Sequence, residues 1–399
     1  MWLGGLCREK RTQIMPEITG LSNAKTANLR ILAFATQGAG GDDEARLRVL
    51  LRDLNAEFLP FQKKDKLGSF SQILRKAQSR EFDLLVMEGS GIGGGLAALI
   101  ARILYRIPYV FSSGDAIAPF LSAKSPLGAP VFWAYERLLC LKADGFIGWT
   151  PYLTGRALSM GTPRAVTAAG WAPYAPDLQQ LTEQRKRIRQ ELGIPLDAKV
   201  FGIAGSLNWS PRFQYCYGLE LVRAAVQSDS AAHVLIVGDG SGLPRLQELA
   251  GPRLNQTIFL TGRVPREKVP EYLATMDIGS LPQSVDQVGS FRYTTKLSEY
   301  LAMQLPFITT EIPLAYDLDS GGLWRLPGQS PWDPRFIYAL ATLMASVDAT
   351  SIEAKRAALG TAFPEFERER QIQRVTAFLR ETWNRSRGKH QSSSGQKHE

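Results

Sequence analysis

The sequence predicts an α/β protein made of two doubly wound domains that face each other across a cleft. Short apolar segments alternate with amphipathic ones along most of the chain, and this alternation restarts after a proline-rich stretch at residues 173–176. The 399 residues, 44% hydrophobic and 21% charged, are enough for two globular cores. Continuous apolar strands separated by helices are typical of parallel sheets that are covered on both faces.

The first predicted domain covers residues 29–180. Residues 1–28 show no clear periodicity and are expected to form a loose leader. Buried strands are predicted at residues 29–36, 57–61, 82–88, 109–113, 146–149 and 165–169. Helices are predicted at residues 42–54, 70–79, 95–105 and 150–160, with a long amphipathic region at 116–142.

The second predicted domain covers residues 190–345 and follows a charged helix at 178–192. Its strands are predicted at residues 200–204, 233–237, 257–260, 278–281 and 307–310. Its helices are predicted at residues 217–225, 244–250, 268–274 and 296–303. Two closing helices, at 332–347 and 352–383, bring the chain to residue 385, and the polar residues 386–399 are expected to be disordered.

Composition excludes several classes of protein. The net charge is +9, but each end of the chain holds five basic and two acidic residues, so the folded body lacks the basic face of a nucleic-acid-binding protein. Basic ends suit weak attraction to anionic lipids, and merely solubilising tails are the alternative. Three scattered cysteines (Cys7, Cys140 and Cys216) and three histidines make a disulfide framework or a zinc site improbable.

The sequence contains no run of 18 uncharged apolar residues, so it predicts no transmembrane helix. At the N-terminus the charged residues follow the apolar start, which is the wrong order for a signal peptide. We therefore expect a cytoplasmic protein that contacts the inner face of a membrane peripherally. Residues 116–133 suit a lipid interface or a lipid-linked acceptor. An inward-facing core segment explains the same pattern.

The most informative segment is at residues 288–308, where a polar approach leads into a predicted helix. Lys296 and Glu299 stand three positions apart and share one side of the first turn. A helix N-terminus offers free N–H groups and positive potential to an anion, and a lysine there is unfavourable unless a negative group lies beside it. A diphosphate would supply that charge, and the carboxylate could accept both hydroxyls of a ribose. A surface helix with an ion pair between the two residues is the alternative.

This segment resembles the donor-binding motif of retaining, family 4-like glycosyltransferases, which have the GT-B fold. The family pattern reads roughly P-x-K-L-x-E-Y-L-A-x-G-x-P and is matched at Lys296, Leu297, Glu299, Tyr300, Leu301, Ala302 and Pro306. Three more blocks stand in the family's order, at residues 144–150 (DGFIGWT), 234–240 (VLIVGDG) and 259–264 (FLTGRV). The resemblance extends over most of residues 30–345.

The resemblance implies two Rossmann-like domains that bind a nucleotide-sugar donor, such as a UDP- or GDP-sugar, and a carbohydrate or lipid-linked acceptor, without a cofactor or a metal. Arg212 and Lys296 would neutralise the leaving diphosphate, and Glu299 would bind the ribose. An exposed loop arginine is the alternative for Arg212. The other implied donor-binding residues are Tyr293, Thr294, Thr295, Gly205, Ser206, Gly262, Arg263, Val264, Gly38 and Gly40.

The chain departs from the family at two positions. A pair of glutamates eight positions apart is common in the family; Glu299 matches the second member, and the first would fall at Phe291. Many family members also carry a histidine in the stretch that corresponds to residues 110–115, which contains none here. Ser113 or Asp115 is the candidate for the acceptor side, with Asp115 as a general base. The histidine at His233 begins a predicted buried strand and is interpreted as a core or capping residue.

Other interpretations remain at this point. Residues 89–94 fit a GxGxxG pattern after a strand, as in dinucleotide-binding proteins, although close helix–strand packing also explains these glycines. Asp317 and Asp319 form a DxD triplet, which metal-dependent glycosyltransferases of another fold use. Two alternative functions remain: a nucleotide-sugar epimerase or hydrolase of the same fold, and a catalytically degenerate sugar-nucleotide-binding protein.

Overall fold

The computed structural model describes residues 29–174, 177–228, 230–360 and 363–395. They form two parallel six-stranded sheets with flanking helices, so the predicted α/β fold with two doubly wound domains is confirmed. We call the unit built on the first sheet the first domain and the unit built on the second sheet the second domain. The predicted leader, residues 1–28, lies outside the described part of the chain.

The first domain consists of alternating strands and helices. Its strands are β1 (Ile31–Ala35), β2 (Ala56–Phe58), β3 (Leu84–Glu88), β4 (Tyr109–Ser113), β5 (Gly145–Gly148) and β6 (Ala165–Thr167). Its helices are α1 (Asp42–Leu50), α2 (Lys66–Gln78), α3 (Ile92–Leu104), α4 (Ile117–Lys124), α5 (Ala129–Lys142) and α6 (Pro151–Ser159). The strand order is β2-β1-β3-β4-β5-β6, and β1 and β3 are wholly buried because helices cover both faces of the sheet.

The second domain repeats this arrangement. Its strands are β7 (Val200–Ala204), β8 (His233–Val237), β9 (Ile258–Leu260), β10 (Ile278–Ser280), β11 (Phe307–Thr309) and β12 (Leu323–Arg325), in the order β12-β11-β10-β7-β8-β9. Its helices are α7 (Leu178–Leu192), α8 (Leu219–Gln227), α9 (Leu243–Ala250), α10 (Val269–Thr275), α11 (Thr295–Ala302), α12 (Leu314–Asp317), α13 (Pro334–Ser346) and α14 (Ala349–Leu359). The three-residue β12 is too short for a sequence pattern and was missed.

Helix α7 belongs to the second domain because a buried arginine fastens it there. The Arg189 side chain has no exposed surface, and its guanidinium lies 2.8 Å from Asp277, which precedes β10. Arg185, one turn earlier, forms a second ion pair with the same carboxylate at 2.6 Å. The Asp277 carboxylate also accepts the backbone N–H of Val200 at the start of β7. The chain therefore passes between the domains just before α7.

The last helix, α15 (Arg368–Gly395), returns to the first domain. Its apolar side chains Ile372, Val375, Phe378 and Leu379 are buried against the same face of the first sheet as α1. The predicted helix at 352–383 is thus two helices, α14 and α15, with the chain redirected between them. Residues 386–395, predicted as a disordered tail, continue α15 as helix, and residues 396–399 lie outside the described residues.

Candidate functional site

A cleft separates the carboxyl ends of the two sheets, where ligands of doubly wound folds bind. A cavity of about 1090 Å³ lies there. The first domain contributes α1, Trp149 and residues 170–173 to its walls, and the second domain contributes the loops after β7, β8 and β9 together with the start of α11. A smaller cavity of about 220 Å³ shares Trp149 and Thr295 with the larger one, so the two are neighbours.

The start of α11 supplies the predicted polar groups. Thr294 is the N-cap residue, but its side chain does not cap the helix, and its buried Oγ1 has no hydrogen-bond partner among the described residues. Thr294 and Tyr293 line the smaller cavity, while Thr295 lines both. Burial raises the pKa of Tyr293 to about 12, so its hydroxyl stays a neutral hydrogen-bond donor.

Lys296 reaches from α11 to the loop after β7. Its side chain is only 8% exposed, and its Nζ lies 4.2 Å from the centre of the Tyr217 ring. A Cβ on Gly205 would lie 2.8 Å from this Nζ, so the glycine leaves room for the ammonium to lie against the backbone that lines the larger cavity. Lys296 forms no ion pair or hydrogen bond with any other described residue. The Glu299 carboxylate is near enough to interact electrostatically with this buried cation, but no carboxylate of the described residues contacts it.

Glu299 lies one turn further along α11 and lines the larger cavity. Burial raises the pKa of its carboxyl, and the nearby Lys296 and Arg266 cations act in the opposite direction. The predicted alternative, an ion pair between Lys296 and Glu299, is not formed. Both groups are thus available to a ligand in the cleft.

Glycine backbones form the floor of the larger cavity, and Ser206, in the loop after β7, lies in its wall. A Cβ on Gly238 would lie 1.9 Å from the Gly205 carbonyl oxygen, so only glycine allows these two loops to meet. The Gly238 N–H donates to the Gly262 carbonyl at 2.9 Å, which ties the loop after β9 to the floor. Gly262 itself does not line the cavity, whereas the next two residues, Arg263 and Val264, do.

Arg212 does not line either cavity, and its predicted contact with the donor diphosphate is not supported. Its guanidinium donates to the Ala123 carbonyl at the end of α4 and lies 5.3 Å from the Phe213 ring centre. The loop after β7 carries it across to the first domain instead of back over the cleft. Two other arginines of the loop after β9, Arg263 and Arg266, are in the wall of the larger cavity. Arg266 was missed, although its position three residues after Arg263 was visible in the sequence.

The glycine-rich loop after β1 does not lie where its predicted donor-binding role requires. Neither Gly38 nor Gly40 lines a cavity. The Gly38 N–H donates to the Ala35 carbonyl, and the Gly40 N–H donates to the Glu44 carboxylate at 2.8 Å. Because these amides already have acceptors within the first domain, they form a turn that begins α1 rather than a phosphate-binding loop.

Asp115 lies in the wall of the smaller cavity, as its predicted acceptor-side role requires. Its carboxylate forms an ion pair with Arg292 of the second domain. Its backbone carbonyl and N–H both bond to the Ser113 hydroxyl, at 2.8 and 3.1 Å, which fixes the turn after β4. The candidate base is therefore held by a charge from the opposite domain.

Phe291, at the position of the missing glutamate, contributes no polar group to the cleft. Its ring packs against the apolar core of the first domain, 5.5 Å from the Arg156 guanidinium. Its carbonyl accepts a hydrogen bond from the Thr150 hydroxyl at 2.9 Å. The 3-10 turn Gly289–Phe291 thus anchors the segment before α11 to the first domain.

A buried ion pair that the sequence did not reveal lies beside the cleft. Arg46 of α1 and Glu88 at the end of β3 are 2.7 Å apart, and the Trp149 indole N–H donates to the same carboxylate at 3.1 Å. The guanidinium also lies 4.1 Å from the Trp149 ring centre. Both side chains are buried, which raises the pKa of Glu88 and lowers that of Arg46, while the charge of each partner opposes these shifts. Arg46 and Trp149 present this cluster to the larger cavity.

The remaining sequence motifs have structural roles. A Cβ on Gly89 would lie 2.5 Å from the Thr36 hydroxyl, so the glycines at 89–94 allow close packing of β3 and α3 against β1. Asp317 accepts from the Tyr152 hydroxyl at 2.6 Å, and Asp319 pairs with Arg325, so the DxD carboxylates have separate partners. No group of three potential metal ligands occurs among the described residues.

His233 and the cysteines take no part in the cleft. The His233 ring stacks on Phe259 in the second domain, and its Nδ1 lies 3.1 Å from the Ala231 carbonyl. Burial lowers its pKa, which is consistent with a core position. Cys140 and Cys216 are buried free thiols, and Cys7 lies outside the described residues.

Two family models match the chain. The model described as "Glycosyl transferase 4-like domain" matches residues 22–169, and the model described as "Glycosyl transferases group 1" matches residues 198–328. Together they span more than two thirds of the chain. No curated protein matches the sequence. The resemblance inferred from residues 288–308 is therefore confirmed at the level of the family.

Several solved structures share the fold at low sequence identity. HepE of Anabaena in complex with UDP-glucose is 16% identical, with a TM-score of 0.64, over 88% of this chain and 99% of that one. Sucrose-phosphate synthase of Thermosynechococcus elongatus is 13% identical, with a TM-score of 0.58, over 92% and 99%. MnaA of S. aureus in complex with UDP is 12% identical, with a TM-score of 0.56, over 89% and 97%.

Proposed function

Because the chain belongs to the 4-like, group 1 glycosyl transferases and has their GT-B fold, we propose that it transfers a sugar from a nucleotide-sugar donor to a carbohydrate, lipid or other acceptor with retention of configuration. The donor binds in the larger cavity, mainly on the second domain. The acceptor approaches from the first domain through the smaller cavity. UDP or UDP-glucose bound to HepE and UDP bound to MnaA make a UDP-sugar the first donor to test.

The observation that carries this proposal is the buried Lys296 ammonium, which contacts no carboxylate of the described residues and lies at the N-terminus of α11. A diphosphate beside Gly205 would bring negative charge into contact with this ammonium and would also accept hydrogen bonds from the free N–H groups of the helix. Glu299, in the wall one turn away, is placed to accept the ribose hydroxyls. Arg263 and Arg266, in the segment after β9, add positive charge to the wall of the same cavity.

Electrostatic stabilisation of the leaving group is the main chemistry that these residues supply. As the bond between the sugar and the diphosphate breaks, negative charge grows on the phosphate oxygens. Lys296, the two wall arginines and the helix N-terminus are in place before that charge appears, so little reorganisation is needed. This set of cations supports transfer without a cofactor or a divalent metal.

Retention is proposed to proceed by attack of the acceptor on the same face from which the diphosphate leaves. Three carboxylates line the smaller cavity, and two of them, Glu88 and Asp115, are each engaged in an ion pair, with Arg46 and Arg292 respectively. Burial raises the pKa of the third, Asp43, which makes its carboxyl a weaker candidate for an ionised nucleophile. Attack on the same face needs no nucleophile from the protein. The acceptor proton then passes to the departing phosphate, and Asp115 with Arg292 positions the acceptor. Closure of the cleft excludes water and limits hydrolysis of the donor.

A cytoplasmic location and a peripheral membrane contact belong to the same proposal. No helix among the described residues has the length and apolar character needed to cross a bilayer. A second function is favoured by one observation: Phe291 and the stretch at 110–115 supply none of the polar groups the family often has there. A degenerate sugar-nucleotide-binding protein would show the same cleft without turnover.

The test is a thermal-shift screen of the full chain with UDP, GDP, ADP and their sugars, followed by measurement of donor hydrolysis and of transfer. We expect one nucleoside diphosphate and its sugar to stabilise the protein and to be turned over. Stabilisation without any turnover would support the degenerate binding protein. No stabilisation by any of these nucleotides would overturn the donor site. Interconversion of the donor sugar without release of nucleotide would indicate an epimerase.

A further inference from the structure

The smaller cavity contains polar side chains that have no partner within the described part of the chain. The Asp43 carboxylate, in the first turn of α1, lines this cavity and forms no ion pair or hydrogen bond with another described residue. Ser90, in the turn between β3 and α3, also lines it, and its hydroxyl has no such partner although the residue is only 4% exposed. Because buried polar groups normally have partners, both groups are available to a ligand.

These groups lie close to one another and face a third group from the other domain. A Cβ on Gly89 would lie 3.6 Å from the Asp43 Oδ2 atom, so the carboxylate lies beside the turn that carries Ser90. The second domain contributes Thr294, whose buried Oγ1 has no partner among the described residues either. A ligand in the smaller cavity would therefore meet free polar groups from both domains.

The charges in the wall of the smaller cavity do not balance when Asp43 is ionised. Asp115 pairs with Arg292, and Glu88 pairs with the buried Arg46, which leaves the charge of Asp43. The three carboxylates do not make a metal site, because the described residues include no group of three His, Cys, Asp or Glu that could hold a metal ion. A negatively charged ligand would be repelled here, since like charges placed together are costly.

The surroundings of Asp43 disfavour its charged form as long as nothing donates to it. Burial raises the pKa of its carboxyl, and the nearby Asp115 and Asp42 act in the same direction. Arg46 and the exposed Lys63 oppose this shift, but neither contacts the carboxylate. A carboxylate in this position is stabilised by hydroxyl groups that donate hydrogen bonds to it.

The size of the smaller cavity limits the ligand to about one ring. Its volume of about 220 Å³ is below the roughly 300–1,000 Å³ of pockets that hold drug-sized molecules. It adjoins the larger cavity at Trp149 and Thr295, so a ring bound in it would lie next to the sugar of a donor. The free groups, one carboxylate and two hydroxyls, suit a ring that carries several hydroxyls.

We propose that the smaller cavity binds a single uncharged sugar unit of the acceptor, and that Asp43 selects this unit by accepting hydrogen bonds from its hydroxyl groups. Ser90 and Thr294 bond to other oxygens of the same ring. An acidic sugar is excluded because its carboxylate would face Asp43. The role of this sugar as the acceptor rests on the proposed function, whereas its binding beside Asp43 does not.

The first test measures sugar binding to the full chain in the presence of UDP by ligand-observed NMR. The probes are the methyl glycosides of glucose, galactose and mannose, their counterparts with a carboxylate at C6, and their 2-amino counterparts. We expect a neutral glycoside to bind and its acidic counterpart to bind about tenfold more weakly. Asp43→Asn should weaken binding of the neutral glycoside about tenfold and narrow its advantage over the acidic one, and Ser90→Ala should weaken it less.

Asp53→Asn is the matched control, because it removes an exposed carboxylate of the same domain that lines neither cavity. It should bind every glycoside like the native chain. The nucleotide-induced thermal shift should be the same in Asp43→Asn and the native chain, because Asp43 does not line the larger cavity. An unchanged shift would show that the variant is folded and that its donor site is intact.

The second test measures transfer to the same glycosides. In Asp43→Asn the kcat/KM for the neutral glycoside should fall about tenfold, through a higher KM for the glycoside. A lower kcat at unchanged KM would overturn the selecting role and place Asp43 in the chemical step. A neutral glycoside that binds through Asp43 but receives no sugar would support this inference and contradict the proposed transfer.

Three binding results would overturn the inference itself. They are equal affinity of the native chain and Asp43→Asn for every glycoside, no binding of any neutral glycoside, and tighter binding of a charged glycoside than of its neutral counterpart. Preference for the 2-amino glycoside, lost in Asp43→Asn, would assign the free carboxylate to an ammonium group instead. Failure of the nucleotide to bind would contradict the donor site alone, because the glycosides are measured separately.

Discussion

Asp115 of the first domain and Arg292 of the second domain form an ion pair across the cleft, in the wall of the smaller cavity. Their side chains are 25% and 30% exposed, so the pair is screened by solvent and stabilises the contact between the domains by about 0.5–1 kcal/mol. The candidate acceptor-side carboxylate and the segment that leads into α11 are therefore connected directly. The contact between the domains and the proposed positioning of the acceptor therefore involve the same ion pair.

Removing either partner of this pair should have the same effect. We expect Asp115→Asn and Arg292→Gln each to lower kcat/KM by about two- to fivefold, from the lost ~0.5–1 kcal/mol. The double variant should be no worse than either single variant, because the two residues act through one contact. Steady-state kinetics on the three variants check this. A loss of several hundredfold in Asp115→Asn alone would instead show that Asp115 acts as a general base.

The proposed donor-binding residues at the start of α11 can be tested by substitution. Lys296→Ala and Glu299→Ala should each weaken binding of the nucleoside diphosphate about tenfold or more, because a charge-assisted hydrogen bond contributes roughly 1.5–3 kcal/mol. Calorimetry on each variant gives the affinity. Lys186→Ala, an exposed lysine of α7, is the control and should bind normally. Unchanged affinity in both α11 variants would exclude this helix as the donor site.

The affinity for nucleotide should depend on pH through Glu299. Its pKa is raised above the ordinary glutamate value by burial, so the carboxylate that accepts the ribose hydroxyls is lost as pH falls through this raised value. Affinity should therefore be highest at neutral pH and decline at a higher pH than an exposed glutamate would cause. Glu299→Gln should remove this decline, so that its affinity changes with pH only through titration of the nucleotide phosphate. Parallel curves for the two proteins would contradict the assignment.

Turnover should persist in excess EDTA. Lys296, Arg263, Arg266 and the helix N-terminus supply the charge that a divalent cation would otherwise bring. We expect chelation to change the rate less than Lys296→Ala does, in a direct comparison of initial rates. If EDTA abolishes turnover and manganese restores it, the acidic residues Asp317 and Asp319 must be reconsidered despite their present partners.

Phe291 should behave as a structural anchor. Phe291→Ala should lower the free energy of unfolding by about 1–2 kcal/mol, since a partly buried ring is removed from the core of the first domain. Phe291→Glu, which restores the acid that is common in the family, should be still less stable and should not gain activity. Chemical denaturation and transfer assays measure the two effects. Higher turnover in Phe291→Glu would show that the position still serves the sugar.

The strands and the start of α11 could be predicted because their signals are local. Apolar runs identify strands that are buried on both faces, and Lys296 with Glu299 lie within one helical turn. Arg212 could not be placed, because the path of the loop after β7 is decided by its contact with Ala123 in the other domain. The pair of Arg46 and Glu88 is 42 residues apart in the chain and meets only when the sheet is assembled. Non-local ion pairs of this kind leave no spacing signal.

The return of α15 to the first domain has a consequence for synthesis of the protein. Phe378 and Leu379 fill the same apolar cluster as Ile31 of β1, so the first strand and α15 share one core. A nascent chain lacks that cover until the 28 residues of α15 have been made and have left the ribosome. The first domain, although translated first, can complete its core only after the second domain has been made. Until then one apolar face of its sheet stays exposed, and such a surface makes folding intermediates prone to aggregate.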